Sequence, residues 1–469
     1  MPSRILLVSA NRCANPDPVF PLGLAYLNAA LRRAGHETVW LDVLADAGHG
    51  ADILDTCRPD FVGISLRNID DVLIRKRETF FGDLVSLASE IRQNQKCPIV
   101  LGGSGFSIFP QRLLELAGAD FGICGEGEAA FVSLINALEE NRCPDTIPGL
   151  VFRQDGRVMI NAPSTCSFDR ELSDSDRPGS VASHYLRTTG VLNLQTQRGC
   201  GFRCCYCTYP LIEGRQHRRR PPELVAAEFK LLQRQGARYV SVVDSVFNSS
   251  PRHVTEVCEA LLRLDVKLPW GCFLRPQGLT PELMKLMARA GLSHIEFGSD
   301  SFCDEVLASY HKDFTFDDIL HSSVLAKREN VDYCHFLISG GPGETHATLR
   351  KGFQNSQQLN DAVILAVVGI RVYPGTPLFE RAVREGRIRA DTDLLPPAYY
   401  LAPDLTAEAV FAQLQEFARL SPNWIVGDPA PAYTTLVERL RRRGVVGPLW
   451  SYFAMLQRIR PSALAATQP

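Results

Sequence analysis

The run Arg198-Gly199-Cys200-Gly201-Phe202-Arg203-Cys204-Cys205-Tyr206-Cys207 sets three thiols, Cys200, Cys204 and Cys207, at the spacing Cys-x3-Cys-x2-Cys directly after an apolar, strand-like segment. Three thiolates hold three irons of a [4Fe-4S] cluster and leave the fourth open, a place for a small chelating molecule to bind and accept an electron. S-adenosylmethionine (SAM) fits that role. Zinc would want four ligands, usually in two pairs, and the chain has no second Cys-x2-Cys pair. Cys205 falls between two ligands and reads as a bystander.

This spacing resembles the radical SAM superfamily, and Tyr206, just before the last thiol, resembles that family's adenine-facing position. The resemblance implies a partial barrel of parallel strands, which agrees with the strand-helix rhythm that follows the thiols. Strands are expected at Val191 to Gln197, Tyr239 to Val243, Leu268 to Leu274, His294 to Gly298, Tyr333 to Ser339 and Val363 to Val372, with helical spacing between them. In such barrels chemistry collects at the carboxyl ends of strands. By position, Asp244 after the second strand, Ser299, Asp300 and Ser301 after the fourth, and Gly340, Gly341 and Pro342 after the fifth resemble the family's SAM-binding segments. The family's Gly-Gly-Glu segment after the second strand is replaced by Asp244 to Asn248, and Arg275 or Arg371 is the candidate for the SAM carboxylate, with a substrate contact or a structural salt bridge as the equal alternatives. The basic run Arg215 to Arg220 reads as a solvated loop before a helix beginning at Pro221-Pro222, with phosphate binding as the alternative.

Upstream, Arg4 to Ala10, His36 to Asp42, Phe61 to Leu66, Pro98 to Gly103 and Phe121 to Cys124 read as strands alternating with helices, which predicts a doubly wound parallel sheet. Ligands bind such sheets beyond the carboxyl ends of the strands. The loops there carry Ser9 and Asn11; Ser65, Arg67 and Asn68; Gly102, Gly103 and Ser104; and Gly125, Glu126 and Gly127. With the strings Pro21 to Leu27, Leu101-Gly102-Gly103 and Gly125-Glu126-Gly127-Glu128, this order resembles the cobalamin-binding domain attached to many radical SAM enzymes, and the resemblance implies that these loop residues contact cobalamin. Many such domains offer a histidine to cobalt from an Asp-x-His-x-x-Gly loop, but Asn11 to Leu22 contains no histidine, while His36 and His49 read as solvated surface residues. Arg67 is the candidate for cobalt's lower face, since arginine stays protonated and has no lone pair to donate. Its alternative is an ion pair with Asp70 or Asp71, or a contact to a cobalamin amide or phosphate. The string Leu66 to Asp71 looks like the branch that includes tryptophan C-methyltransferases.

The expected fold is therefore α/β: a doubly wound cobalamin-binding domain over 1–140, a linker over 141–189, a partial (β/α)6 radical SAM barrel over 190–385 and a small helical domain over 386–469. A strand-turn-strand around Gly149 to Ile160 and a polar stretch, Ser173 to Gly179, fall in the linker. Tyr399, Tyr400, Trp424 and Trp450 of the tail either line the substrate pocket or pack in a core.

At 469 residues and a formal net charge of -2, the chain has room for several domains and no global basic field for nucleic acid. Its apolar runs are too short to span a bilayer and its start lacks a signal-peptide core, so a cytoplasmic location is expected. Fourteen cysteines without further regular spacing suit a reducing compartment. The resemblance implies a [4Fe-4S] cluster, SAM and cobalamin as cofactors. It also implies an external one-electron donor such as flavodoxin or ferredoxin, and methyl transfer from SAM through cobalamin to a carbon of a small-molecule or peptide substrate. A cyclisation or rearrangement without methylation is the alternative. A methylthiotransferase or a non-catalytic cobalamin or redox sensor fits less well, since the first would carry three further cluster cysteines and the second a DNA- or protein-binding module.

Overall fold

Parallel strands buried on both faces need helices above and below them, and the first 160 residues meet that need. The computed structural model describes residues 2–14, 17–46, 48, 50–165, 176–359, 361–427 and 431–452. Strands β1 (Arg4–Ser9), β2 (Glu37–Asp42), β3 (Phe61–Ser65), β4 (Ile99–Gly102) and β5 (Phe121–Ile123) pair in parallel in the order β2-β1-β3-β4-β5. Ile5 to Val8 have no exposure at all, as the helices Leu22–Arg33, Phe81–Asn94, Pro110–Ala117 and Glu128–Glu139 require. The order reverses at β1, so the loops after β1 and β3 diverge and leave a crevice at their carboxyl ends.

The sheet does not stop near residue 140. β6 (Leu150–Gln154) and β7 (Arg157–Ile160), expected in the linker, extend it as two antiparallel edge strands. Leu150 and Val151 are fully buried, and that apolar pair draws the hairpin onto β5. The polar stretch expected as linker lies outside the described residues as far as 175. The helix Gly179–Thr188 that follows is fastened back to the first sheet, Tyr185 donating to Asp42 at 2.8 Å.

The second sheet takes all six expected strands and one more. Its members are β8 (Val191–Leu194), β11 (Tyr239–Val242), β12 (Trp270–Leu274), β13 (Leu292–Asp300), β14 (Asp332–Ser339), β15 (Val363–Val368) and β18 (Trp424–Val426). They are parallel and in sequence order, the mark of a barrel wall rather than a doubly wound sheet. Two short antiparallel pairs flank it: β9 (Gln197–Arg198) with β10 (Arg218–Arg219), and β16 (Ile370–Arg371) with β17 (Tyr399–Tyr400). The tail expected to be helical thus supplies β18, and Trp424, 3% exposed, packs in the core.

Alternation along the second sheet separates its two faces. Trp270, Cys272 and Leu274 of β12, Ile295 and Phe297 of β13, and Ile364, Ala366 and Val368 of β15 join the core beneath the helices. The intervening residues face the lumen, where Cys334 and Val363 meet Val437, Leu449 and Trp450 of the tail. No helix among the described residues is long and apolar enough to cross a membrane.

Buried charges join the two sheets. Arg371 donates to Asp70 at 2.8 Å and to the carbonyls of Val372, at 2.8 Å, and Leu394, at 2.6 Å. This assigns Arg371 to the domain junction and away from a SAM carboxylate. It also leaves Asp70 occupied, so Arg67 does not pair with it. The basic run is neither solvated nor free for phosphate at its end: Arg220 donates to Glu228 at 2.6 Å, and Glu228 in turn accepts from Arg177 at 2.5 Å. Asp70→Ala strands the Arg371 guanidinium without a counter-charge, which should cost about 3–5 kcal/mol. The check is a lowered denaturant midpoint relative to the parent protein.

Candidate functional site

The β9–β10 pair is the stem of the thiol loop. Gly199 turns at φ 85°, and a Cβ there would lie 2.0 Å from the Gln216 carbonyl, so only glycine fits. The Gly199 amide donates to Glu213 at 3.0 Å, and the Cys200 amide to the Gly214 carbonyl at 3.0 Å. Cys200 is buried, and Cys204 and Cys207 are half-buried. Burial pushes the Cys207 thiol up to about 12, with Cys204 and Cys200 adding to the rise and Lys312 opposing it. Burial also raises Cys200, against which Arg275 acts. Among the described residues no three His, Cys, Asp or Glu side chains converge on a single-ion site, a convergence that a cluster with one thiolate per iron does not require.

Cys205 behaves as expected of a bystander. It is 4% exposed, burial takes its thiol to about 12, and its amide and carbonyl bond to Tyr310 and Leu378. Two cations that carry no motif flank the thiols. Arg275 stacks 3.7 Å over the Phe202 ring, bonds Cys204 and pairs with Asp313. Lys312 pairs with Asp300 at 2.5 Å and reaches the Tyr206 hydroxyl at 3.4 Å.

The expected SAM residues divide. Tyr206 donates to Asp300, and Asp300, with φ 63°, thereby joins the aromatic beside Cys207 to Lys312. The Gly341 amide donates to the Tyr310 hydroxyl at 3.1 Å, and that hydroxyl donates to the Ile338 carbonyl at 2.7 Å, so Tyr310 holds the Gly340-Gly341-Pro342 loop. Ser301 caps the Cys303 amide at 3.2 Å. Ser299 turns away to the fully buried His335, at 2.8 Å. Asp244 is likewise taken up in structure: it accepts from Thr196 and the Gln197 amide, is 2% exposed, and burial raises it to about 7.

A cavity of about 320 Å³ opens at the carboxyl ends of the first sheet. Ser9, Asn11, Ser65, Arg67, Gly102, Gly103, Ser104, Gly125, Glu126 and Gly127 line it, and Asn68 does not. Gly103 has φ 97°, and a Cβ there would lie 2.6 Å from the Leu66 carbonyl, so the two loops meet only because the side chain is missing. Its far wall is Asn193, Gln195, Arg198, Tyr209, Glu213 and Val243 of the barrel. Among the described residues no histidine lines it. His36 is buried at the far side of β2, its Nδ1 accepting from the Ser3 amide at 3.3 Å, and His49 lies outside the described residues. Arg67 extends into the cavity without an ion pair among the described residues, and desolvation lowers its pKa. Glu126 and Glu128 serve the wall itself: Glu128 accepts from Arg198 at 2.6 Å, and Glu126 from Arg218 at 2.8 Å.

A cavity over a switch point, walled by a thiol loop on a sequentially ordered parallel sheet, defines a two-part protein of the B12-binding, radical SAM class. The sequence model of the B12 binding domain matches residues 15–135, and that of the radical SAM superfamily matches 194–352. The chain thus carries a B12-binding domain followed by a radical SAM domain. It is 26% identical over 426 residues to tryptophan 2-C-methyltransferase of Streptomyces laurentii, covering 76% of this chain and 71% of that one. It is 25% identical over 447 residues to cytidylyl-2-hydroxyethylphosphonate methyltransferase of Streptomyces wedmorensis, covering 82% of each. The fold matches the radical SAM methyltransferase TsrM from Kitasatospora setae, solved with cobalamin and a [4Fe-4S] cluster bound, with a TM-score of 0.86, 22% identity and 100% of both chains covered.

Lys312 and Glu213 stand in the site without any sequence signal of their own, since each acts through partners that only the fold brings to it. Cys204→Ala should abolish cluster iron after anaerobic reconstitution, whereas Cys205→Ala should keep the iron and sulfide of the parent protein. Iron and sulfide analysis checks both.

Proposed function

We propose that the protein is a cobalamin-dependent radical SAM methyltransferase that moves a methyl group from SAM, by way of cobalamin, to a carbon of a small-molecule or peptide substrate. The observation that carries this reading is the shared wall: Arg198, two residues before Cys200, is also the residue that Glu128 of the first domain binds at the cavity. When bound, the cluster supplies an electron or a holding point for SAM, and cobalamin supplies the methyl carrier.

The chain's own residues set the terms. Cys200, Cys204 and Cys207 hold the cluster. Tyr206, Asp300 and the Gly340-Gly341-Pro342 loop form the SAM side, with Arg275 the remaining cation for its carboxylate. Ser9, Asn11, Ser65, Gly102, Gly103 and Ser104 form the corrin cradle, in a first unit that runs on through the β6–β7 hairpin. Arg67 stands in that cradle with no lone pair to give, so it would hold a bound corrin without donating to its metal, and the cobalamin would supply the methyl carrier. A reducing cytoplasm and an external one-electron donor such as flavodoxin or ferredoxin suit this chemistry.

Incubation with methyl-labelled SAM should place label in the product; unlabelled product would leave the cyclase reading in its place. Formation of 5′-deoxyadenosine in proportion to product selects the radical route over the polar one. Arg67→His introduces a lone pair, so the visible spectrum of the corrin-loaded protein should shift. An unchanged spectrum would remove Arg67 from the metal's lower face.

A further inference from the structure

The middle of β12 carries an exposed phenyl ring in a place where exposure is uncommon. Phe273 is 40% exposed although its strand lies between β11 and β13 in a parallel sheet. Its neighbours Cys272 and Leu274 point to the helices, so the Phe273 ring points into the lumen. There it meets Phe336 of β14, with ring centroids 6.1 Å apart and planes inclined at 36°. Between these strands, on β13, stands Gly298, and a Cβ built on it meets nothing within 4 Å. The Phe273–Phe336 pair therefore edges a space that the intervening strand leaves open over Gly298.

The floor of that space is built by the tail. Phe336 and Leu365 pack against Val437, Leu449 and Trp450, which cover the lumen from the amino-terminal end of the strands. Trp450 donates its indole N–H to Glu296 at 3.1 Å. Glu296 faces the lumen on β13, in register with Phe273, and has no ion pair among the described residues. Burial raises its carboxyl to about 7, with the Trp450 bond opposing the rise.

The roof is the chemistry. Arg275, which bonds Cys204, is two residues beyond Phe273, and Asp300, which accepts from Tyr206, is two residues beyond Gly298. Val243, at the edge of the cavity shared with the first domain, lies one residue past the Val242–Cys272 pair, beside Phe273.

We propose that the methyl acceptor sits in the lumen over Gly298, against the Phe273–Phe336 pair, and that it is a flat apolar group bearing a cationic or N–H-donating nitrogen directed at Glu296. A flat ring fills the gap that the missing side chain leaves and stacks on the phenyl faces. Glu296 is the polar group that orients it, since an unpaired carboxylate in a low-dielectric lumen attracts a cation and repels an anion. The tail limits length, because Trp450 closes the lumen below the carboxylate. This site rests on the methyltransferase reading, and it is tested apart from it.

The probes are 2-phenylethylamine and 3-phenylpropanoate, which carry the same ring and opposite charges. They are titrated calorimetrically into the full chain loaded anaerobically with cluster and cobalamin. The parent protein should bind the amine about tenfold or more tighter than the acid. Gly298→Leu should abolish binding of the amine, whereas Gly298→Ala should only weaken it, and both should keep the parent's corrin spectrum. Phe273→Ala should weaken both probes alike. Glu296→Gln, which keeps an acceptor for Trp450, should erase the preference for charge. Equal binding of the two probes, no binding of either, or amine binding that survives Gly298→Leu would overturn the acceptor site while the corrin spectrum stands. Failure of the parent chain to take up corrin would instead overturn the methyltransferase reading.

Discussion

A guanidinium buried beside the thiol loop is what the two-part structure depends on. Arg198 is 6% exposed, donates to Glu128 at 2.6 Å, lies 3.7 Å from Glu126 and stacks over Tyr26 at 4.9 Å. A charge taken so far from water is tolerated only where its partners are close and hydrogen-bonded. Those partners open the helix Glu128–Glu139, whose amino-terminal end favours acidic side chains, so the first domain presents them in a fixed direction. The same requirement repeats at Arg218 with Glu126 and at Arg371 with Asp70. Each one penalises separation of the sheets, and together they set the cavity and the thiol loop in one register.

The features readable from the chain alone were the local ones. Cysteine spacing marked Cys200, Cys204 and Cys207, and apolar runs bounded by glycine marked the parallel strands. Glycine-rich strand ends marked the cavity loops, and nearly all of the residues picked there line one cavity. Features set by distant partners were not readable. Arg218 and Arg220 look like a solvated cluster until Glu126 and Glu228 are placed against them, and Asp244 looks like a ligand contact until Thr196 takes both its oxygens. Arg371 has the same history with Asp70. A single glycine, Gly369 at φ 79°, divides the expected last barrel strand into β15 and β16. Trp424-Ile425-Val426 is too short a run to distinguish a strand from a loop by periodicity, and only the unpaired edge of β15 gives it a place.

The carboxyl groups of the protein show how one residue type serves opposite ends. Glu344 is buried against the Gly340 and Gly341 amides, and burial raises it to about 8. Asp300 has the opposite surroundings, with Lys312 and the Tyr206 hydroxyl beside it. The first stiffens a turn, and the second ties Lys312 to the aromatic beside the thiols.

The position of β18 bears on how the molecule comes to exist on the ribosome. The edge of β15 finds its partner only when residues near 424 have been made, and Arg441 closes on Asp17 at 2.9 Å, a contact across almost the whole chain. A nascent protein therefore carries an uncovered β15 edge while the residues between 368 and 424 are made, the condition in which sheets associate wrongly. Completion of the barrel therefore waits on residues late in the chain order. An oxygen-sensitive cluster inserted before that event would sit in an unfinished enclosure, so the topology favours assembly of the polypeptide first and loading of its cofactors afterwards.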